Sequence, residues 1–270
     1  MKPADFAGRY GPWAIVTGAS DGLGAAFAAE LAAQGLNLVL CARRAERLEA
    51  LAADLRQRHG IEARCIALDL GDAALQERLH AFCEPLDIGL LVAAAGFGSA
   101  GPWLASDPAE DAAMLAVNCG AVLAQSRWLA PRLARRGRGG LLLLSSIVAF
   151  QGCPGSAHYA ATKAWVQTLA EGLRAELAPA GVDVLAVAPG PVASGFGARA
   201  GMDLANATPP AVVAAAALQA LPGGGTSRPG AMAKLLGWSL ATAPRPLRVR
   251  LMGRIMAGLT RARPATPKPA

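Results

Sequence analysis

The chain has 270 residues, of which 53% are hydrophobic and 17% charged, and its formal net charge is +7 at pH 7. This length suits one α/β domain with an extension. The apolar periodicity persists through the abundant alanine and glycine, which excludes low-complexity disorder. No internal repeat is found at a period of roughly 20 to 50 residues, which excludes a solenoid.

Apolar runs separated by helical stretches predict strands at residues 13–17, 36–42, 62–68, 88–94, 139–145 and 182–188. Most of these runs are continuous, as in the four leucines at 141–144, and continuous runs are typical of parallel strands buried on both faces. The sequence therefore predicts the fold class. It is an α/β protein with a doubly wound parallel sheet, or Rossmann fold, and a C-terminal helical extension.

A glycine-rich turn follows the first strand. It runs from Thr17 to Gly24 as Thr-Gly-Ala-Ser-Asp-Gly-Leu-Gly and leads into a stretch rich in helix formers, residues 25–34. Glycines let the backbone approach a pyrophosphate closely, and the helix N-terminus offers unpaired N–H groups to that anion. A tight turn without any ligand needs glycines too. The residues at the end of the next strand therefore have to decide between a nucleotide-binding turn and a turn without a ligand.

The second strand ends in arginines instead of an acidic residue. Ala42 lies about where dinucleotide-binding folds carry the carboxylate that binds the adenosine ribose, and Arg43 and Arg44 follow it. A guanidinium at this position accommodates a 2′-phosphate. The sequence therefore favours NADP(H). The alternative is that both arginines only face solvent at the end of the strand.

Tyr159 and Lys163 lie one helical turn apart, and Ser146 precedes the tyrosine by thirteen residues. Side chains four residues apart share a helix face, so the ammonium is expected to lower the pKa of the phenol. A tyrosine with a lowered pKa is an efficient general acid or base near neutral pH. An isolated pair at this spacing is more often an ordinary surface pair, so it indicates a catalytic site only when other motifs accompany it.

Together these motifs resemble the short-chain dehydrogenase/reductase family over residues 12–194. The glycine turn, Tyr159 and Lys163 match motifs of that family, while Ser146 matches its catalytic serine and Asn118 its asparagine. The resemblance implies an oxidoreductase that uses NADP(H) to interconvert a ketone or aldehyde and an alcohol.

The resemblance also implies the roles of individual residues. The tyrosine transfers a proton to the substrate oxygen, the serine donates a hydrogen bond to it, the lysine holds the nicotinamide ribose, and the asparagine holds a water that returns the proton. The implied catalytic residues are Asn118, Ser146, Tyr159 and Lys163. The implied cofactor contacts are Gly18, Ser20, Asp21, Gly22, Leu23, Gly24, Arg43, Arg44, Asp69, Leu70, Ala95, Gly96, Tyr159, Lys163, Pro189, Gly190, Val192 and Ser194. No metal site is predicted, because the five cysteines and three histidines lack metal-ligand spacing.

One segment departs from the family pattern. The residues Ala93-Ala94-Ala95-Gly96 stand where the family commonly has Asn-Asn-Ala-Gly. Losing those amides removes several hydrogen-bonding groups from a buried place. The sequence does not decide whether this change weakens cofactor binding or the local rigidity. We do not expect loss of activity, because the four residues that resemble the catalytic set remain.

The resemblance divides the chain into two parts of one domain. Residues 1–203 would form the dinucleotide-binding and catalytic unit, and residues 204–270 would add the flank of the substrate loop and a basic helical extension. Apolar residues expected near the substrate are Phe196, Met202, Leu204, Met232, Leu235 and Trp238, with glycine hinges at 195, 197, 201 and 223–225. They favour a small hydrophobic carbonyl or alcohol as substrate, and the alternative is that they fill a core or a dimer contact.

The net positive charge lies entirely in the tail. Residues 204–270 contain nine basic and no acidic side chains, whereas the preceding residues carry 17 basic and 19 acidic ones. A helical apolar stripe is formed by Leu251, Met252, Ile255, Met256 and Leu259, and a different face carries Arg250, Arg254 and Arg261. Such a helix could lie on an anionic membrane, cover the active site as a lid, bind an acidic carrier, or pack on the body or on a second subunit.

Two other functions stay open beside the reductase: a weakly active NADP(H)-sensing binding protein, and a peripheral-membrane reductase of lipid carbonyls. A homodimer or homotetramer is expected from the family resemblance, and nucleic acid is not expected, because the tail has a single aromatic residue. The cysteines show no pairing pattern, no apolar leader precedes Trp13, and no run of about eighteen apolar residues appears. These features predict a cytoplasmic protein, with peripheral membrane contact through the tail as an option.

Overall fold

The computed structural model describes residues 3–202, 207–230, 233, 234, 237 and 243–260. Its strands are β1 Trp13–Thr17, β2 Asn37–Ala42, β3 Ala63–Ala67, β4 Ile88–Ala93, β5 Gly139–Leu144, β6 Val182–Val187 and β7 Gly225–Ser227. Its α-helices are α1 Pro3–Tyr10, α2 Gly22–Ala33, α3 Ala45–His59, α4 Ala73–Cys83, α5 Pro108–Leu115, α6 Val122–Arg136, α7 Ala157–Leu177, α8 Gly195–Ala200, α9 Pro210–Ala220 and α10 Arg245–Thr260.

The strands form one parallel sheet in the order β3-β2-β1-β4-β5-β6-β7. The chain moves outward from β1 to β3, returns to place β4 beside β1, and then continues in the opposite direction. Loops that follow β1 and β4 therefore diverge, and the crevice between them is where doubly wound folds bind their ligands. The predicted fold class is confirmed.

The six predicted strands agree with the observed ones to within one residue at either end. The structure adds a seventh strand that was not predicted, because β7 pairs in parallel with β6. Gly224 and Gly225, at φ +59° and +93°, turn the chain into this strand and so are not hinges of a substrate loop. Three residues without an apolar run give no sequence signal for a strand.

Side chains of the sheet pack into two apolar layers, one on each face. In β2, Leu38 and Leu40 enter one layer while Val39 and Cys41 enter the other. The first layer also contains Val213 of α9, so residues beyond 203 belong to the core of the Rossmann unit. This two-sided burial explains the continuous apolar runs of the strands.

The helix α10 packs on a third apolar cluster at the carboxyl end of the sheet. Met252 and Met256 are buried there against Ile147, Val148 and Cys153. Of the stripe predicted from the sequence, Leu251 is exposed and does not belong to the buried face. The neighbouring helix face exposes Arg250 and Arg254, while Arg261 lies outside the described residues. Within the described ranges, no helix has the length and apolarity needed to cross a membrane.

The N-terminal helix α1 is fixed to the sheet by a shared carboxylate. Asp183 in β6 accepts hydrogen bonds of 2.6 Å from Arg9 Nε and of 2.6 Å from the Tyr10 hydroxyl through the same oxygen, Oδ2. Tyr10 is fully buried, and that burial together with the carboxylate raises the pKa of its phenol. A charge-assisted hydrogen bond in a partly buried place is stronger than one that is exposed to solvent.

Breaking this link is expected to destabilise the protein. Asp183→Asn should lower the free energy of unfolding by about 1.5 to 3 kcal/mol, because hydrogen bonds to a charged group are lost in a partly buried place. The matched substitution Asp54→Asn removes an exposed ion pair with Arg58, 3.1 Å long, and should cost about 0.5 kcal/mol or less. Urea unfolding of both variants provides the measurement, and equal losses would contradict the assignment.

Candidate active site

A cavity of about 880 Å³ runs along the carboxyl ends of the central strands. Its lining includes every residue of the cofactor set predicted from the sequence, from Gly18 in the glycine turn to Ser194 before α8. Ser146, Tyr159 and Lys163 line it as well, whereas Asn118 does not. The volume lies within the usual range for small-molecule sites, which is about 300 to 1,000 Å³.

The glycine turn presents bare backbone to this cavity. Gly18 has a φ of +68°, and a methyl group there would lie 2.8 Å from the backbone nitrogen of Ala95. A methyl group on Gly24 would lie 2.1 Å from the Gly18 carbonyl oxygen. Asp21 caps α2 by accepting a hydrogen bond of 2.7 Å from Gly22 N. A cradle of this kind fits the pyrophosphate of a dinucleotide next to the start of α2.

Basic side chains border the cavity beyond β2. Arg44 donates to the Ser20 hydroxyl at 3.0 Å and lies 3.6 Å from Asp21, while Arg43 lies 3.8 Å from Asp69. Arg47, which the sequence reasoning missed, lines the same end of the cavity from the first turn of α3. Its signal was available, because a residue in the first turn of the helix after β2 has to lie near the strand end. These guanidiniums fit a phosphate group on the adenosine ribose.

The altered segment after β4 is tied to β1 through a hydroxyl. Thr17 is buried, and its Oγ1 accepts a hydrogen bond of 3.2 Å from the Ala95 backbone nitrogen. Ala94, Ala95 and Gly96 all line the cavity. The threonine therefore connects the two diverging loops where the family's asparagines are absent.

Lys163 is almost completely buried at the end of β5. Its ammonium donates a hydrogen bond of 2.7 Å to the Leu144 carbonyl oxygen, and the Ser145 hydroxyl donates to the Lys163 carbonyl at 3.2 Å. Burial lowers the pKa of the ammonium from 10.5 to about 8. The group therefore loses its proton close to physiological pH.

Tyr159 begins the first turn of α7 and faces the cavity. Its ring lies 5.4 Å from the ring of Phe196, centroid to centroid, and Lys163 Nζ lies 5.8 Å from the Tyr159 ring centroid. Ser146 caps the short 3₁₀ turn Ile147–Phe150, with its hydroxyl oxygen accepting from Val148 N at 3.4 Å. That contact leaves the hydroxyl proton of Ser146 able to donate to another acceptor.

The prediction that Lys163 lowers the pKa of Tyr159 is wrong. Burial raises the pKa of the phenol from 10.0 to about 12, although the nearby Ser146 hydroxyl acts in the opposite direction. The cause is desolvation, which disfavours phenolate more strongly than the hydrogen bond favours it. The tyrosine is therefore fully protonated at neutral pH.

Asn118 lies in a π-helical turn, Ala116–Ala121, behind the cavity wall. Its amide nitrogen donates to the Phe97 carbonyl at 2.9 Å and to the Thr162 hydroxyl at 3.0 Å, and its amide oxygen accepts from Phe97 N at 3.1 Å. A methyl group on Gly96 would lie 3.0 Å from this amide oxygen and 3.4 Å from Lys163 Nζ. The asparagine thus fixes the loop that separates it from the cavity.

The other half of the cavity is apolar. Phe196 and Met202 line it as predicted, whereas Leu204, Met232, Leu235 and Trp238 lie outside the described residues. Gly195 and Gly197 lie within α8 and Gly201 ends it at φ +72°. The sequence left several positions open for this helix, and a lid over the active site was one of them. In the structure α10 forms part of this wall, and four of its side chains line the cavity: Met252, Ile255, Met256 and Leu259.

Comparison with known proteins identifies the family of the chain. Residues 12–204 match the short chain dehydrogenase family. The chain is 38% identical over 182 residues to a very-long-chain 3-oxoacyl-CoA reductase of Podospora anserina, covering 66% of this chain and 54% of that protein. It is 33% identical over 186 residues to a 7beta-hydroxysteroid dehydrogenase of Clostridium sardiniense, covering 69% of this chain and 71% of that protein.

A solved structure extends the similarity to nearly the whole chain. A short-chain dehydrogenase from Sphingobium yanoikuyae in complex with NADPH superposes with a TM-score of 0.79 at 29% identity, covering 94% of this chain and 98% of that one. The doubly wound sheet and the glycine turn at its switch point define a dinucleotide-binding fold. The chain belongs to the short-chain dehydrogenase family. It spans about half the length of the 3-oxoacyl-CoA reductases it matches.

Proposed function

We propose that this protein is an NADP(H)-dependent oxidoreductase that interconverts a hydrophobic ketone or aldehyde and the corresponding alcohol. The observation that carries the proposal is one cavity with a glycine cradle and arginines at one end and Ser146, Tyr159 and Lys163 at the other. NADPH bound there would supply hydride to the carbonyl carbon. The NADPH complex of the Sphingobium yanoikuyae dehydrogenase supports the choice of cofactor.

Side chains of this protein would stabilise and protonate the carbonyl oxygen of the substrate. Ser146 donates a hydrogen bond to it, and Tyr159 transfers its phenolic proton to it as negative charge develops. The raised pKa of Tyr159 suits this role, because the phenol still carries its proton at neutral pH. Lys163 contributes a buried positive charge beside the developing anion, and Asn118 keeps the Gly96 and Phe97 loop in place.

The apolar wall supports a bulky substrate. Met252 and Met256 of α10 face the site that contains Ile147 and Tyr159, and methionine side chains adapt to irregular apolar shapes. A hydroxysteroid and a very-long-chain 3-oxoacyl-CoA appear in the names of the two relatives, and the steroid nucleus and the long acyl chain are both large and hydrophobic. The substrate class supported best is therefore a large hydrophobic carbonyl, instead of the small one expected from the sequence, and not a sugar.

Removing the phenol tests the proposal. Tyr159→Phe should keep NADPH binding within about 3-fold while turnover falls by roughly 100-fold or more, because the proton donor is lost and the ring remains. NADPH fluorescence gives the binding, and its absorbance gives turnover with steroid ketones, long-chain ketones and 3-oxoacyl thioesters. Unchanged turnover would remove Tyr159 from the chemistry. NADPH binding by the wild type without turnover of any of these carbonyls would favour the cofactor-sensing alternative.

The pH dependence of reduction should report Lys163. Its pKa is lowered to about 8, so the ammonium is charged below that pH and loses its charge above it, whereas Tyr159, with a pKa of about 12, keeps its proton throughout. The value of kcat/KM for NADPH should therefore be constant near pH 7 and fall above about pH 8. Lys163→Arg should be less active but lose this fall, since a guanidinium stays charged. Circular dichroism at each pH controls for unfolding, and an identical fall in the variant would contradict the assignment.

The outer face of α10 supports peripheral contact with an anionic membrane as a second candidate property. Leu247 and Leu251 are exposed to 54% and 38%, and they lie one turn apart beside the exposed Arg250 and Arg254. Exposed leucines can enter the head-group region of an anionic membrane while the neighbouring arginines bind the lipid phosphates. The inner face of the same helix lines the cavity, so a lipid-borne carbonyl would have a short path to the site.

Vesicle sedimentation tests this contact. The wild type should bind vesicles of phosphatidylserine and phosphatidylcholine at low salt and dissociate at about 0.5 M salt, because screening weakens the attraction. Arg250→Glu with Arg254→Glu should abolish binding. Arg58→Glu with Arg64→Glu makes the same change of net charge at exposed positions elsewhere and should retain most of it. Equal loss in both double variants would exclude α10 as the contact.

A homo-oligomer and a reducing, cytoplasmic setting complete the proposal. Trp165 on α7 and Leu123 on α6 are large apolar side chains exposed to 37% and 41%, which supports pairing through these helices. All five cysteines are free, and four of them are buried, which supports a compartment that keeps thiols reduced.

A further inference from the structure

The short helix α8 lies across the cavity and joins its two ends. A methyl group on Gly195 would lie 2.6 Å from Asp21 Oδ2, so the helix begins against the glycine turn. Phe196 in its first turn packs on Tyr159, as described above. The helix therefore reaches from the cradle to the reacting end, and its last turn carries Arg199 into the lining of the cavity.

Arg199 has a fixed platform. Its guanidinium carbon lies 3.8 Å from the centroid of the Phe97 ring. Phe97 is buried, and both its backbone N–H and its carbonyl are held by Asn118. Stacking on a buried ring whose backbone is held in place orients the guanidinium and lowers the entropic cost of binding an anion.

The charges around Arg199 face it from three other elements. They are Arg43 at the end of β2, Asp69 after β3, and Glu110 in α5. Arg43 already lies 3.8 Å from Asp69. Burial lowers the pKa of Arg199, and the charge of Arg43 lowers it further. Arg199 and Arg43 thus line the same cavity, and the carboxylates of Asp69 and Glu110 offset part of their positive charge.

We propose that Arg199 binds a phosphate group of the dinucleotide, so that α8 adds a fourth guanidinium to the cavity that Arg43, Arg44 and Arg47 also line. This inference rests on the proposed NADP(H) function. A guanidinium forms paired hydrogen bonds with phosphate oxygens, and the 2′-phosphate and the pyrophosphate offer the same chemistry. Binding the cofactor would then hold α8, together with Phe196, against the reacting end of the cavity.

Fluorescence titration of the full chain with NADPH and with NADH tests the proposal. Arg199→Gln should weaken NADPH binding by about 10-fold or more, because a charged hydrogen bond to phosphate is lost. Arg199→Lys should recover part of that loss by keeping the charge. The matched control is Arg64→Gln, which removes an exposed guanidinium that also lies over a ring, 4.9 Å from the Trp13 centroid, outside the cavity. The control should bind as the wild type does.

The two cofactors separate the two phosphates. Weaker NADPH binding with unchanged NADH binding assigns Arg199 to the 2′-phosphate, and equal weakening of both assigns it to the pyrophosphate. Unchanged binding of both by a folded Arg199→Gln, verified by circular dichroism, overturns the inference. If the wild type itself fails to bind either cofactor, the proposed function fails instead, so the two failures are distinguishable.

Discussion

The arrangement of Ser146, Tyr159 and Lys163 depends on one interaction, the hydrogen bond from the buried Lys163 ammonium to the Leu144 carbonyl oxygen. Placing a charge out of water is costly unless hydrogen bonds compensate it, and here the Leu144 carbonyl oxygen does so at 2.7 Å. The Ser145 hydroxyl returns a bond to the Lys163 backbone, so the first turns of α7 are joined to the end of β5. Tyr159 lies one turn before the lysine, and its position follows from this junction.

The two walls of the cavity suit different ligands. One wall is made of backbone and guanidinium groups, which suit a charged nucleotide, and the other is made of methionine, isoleucine and leucine side chains from α10. Tyr159 and Ser146 lie where these walls meet, with the phenol kept neutral by its surroundings. A neutral acid next to a buried cation can give up its proton without first separating charge in a dry environment.

Much of this arrangement could be predicted from the sequence. The apolar runs located six strands because buried parallel strands are apolar on both faces. The resemblance of the motifs to the short-chain dehydrogenase/reductase family implied a set of nucleotide contacts that all line one cavity. The strand β7 could not be found, since three residues beginning with glycine carry no periodicity. The pKa of Tyr159 was predicted in the wrong direction, because helical spacing gives the distance to Lys163 but says nothing about desolvation. Arg199 had no sequence signal, because its contact with the Phe97 ring joins residues about a hundred positions apart in the chain.

The borders of the sheet have a consequence for how copies of the chain can associate. The strand β7 is only three residues long, and β3 at the opposite border carries the exposed, charged Arg64. Short or charged edge strands are poor templates for backbone pairing with another molecule. Edge-to-edge pairing of two sheets is thereby disfavoured, so exposed helix surfaces are the better candidates for contact between copies of the chain.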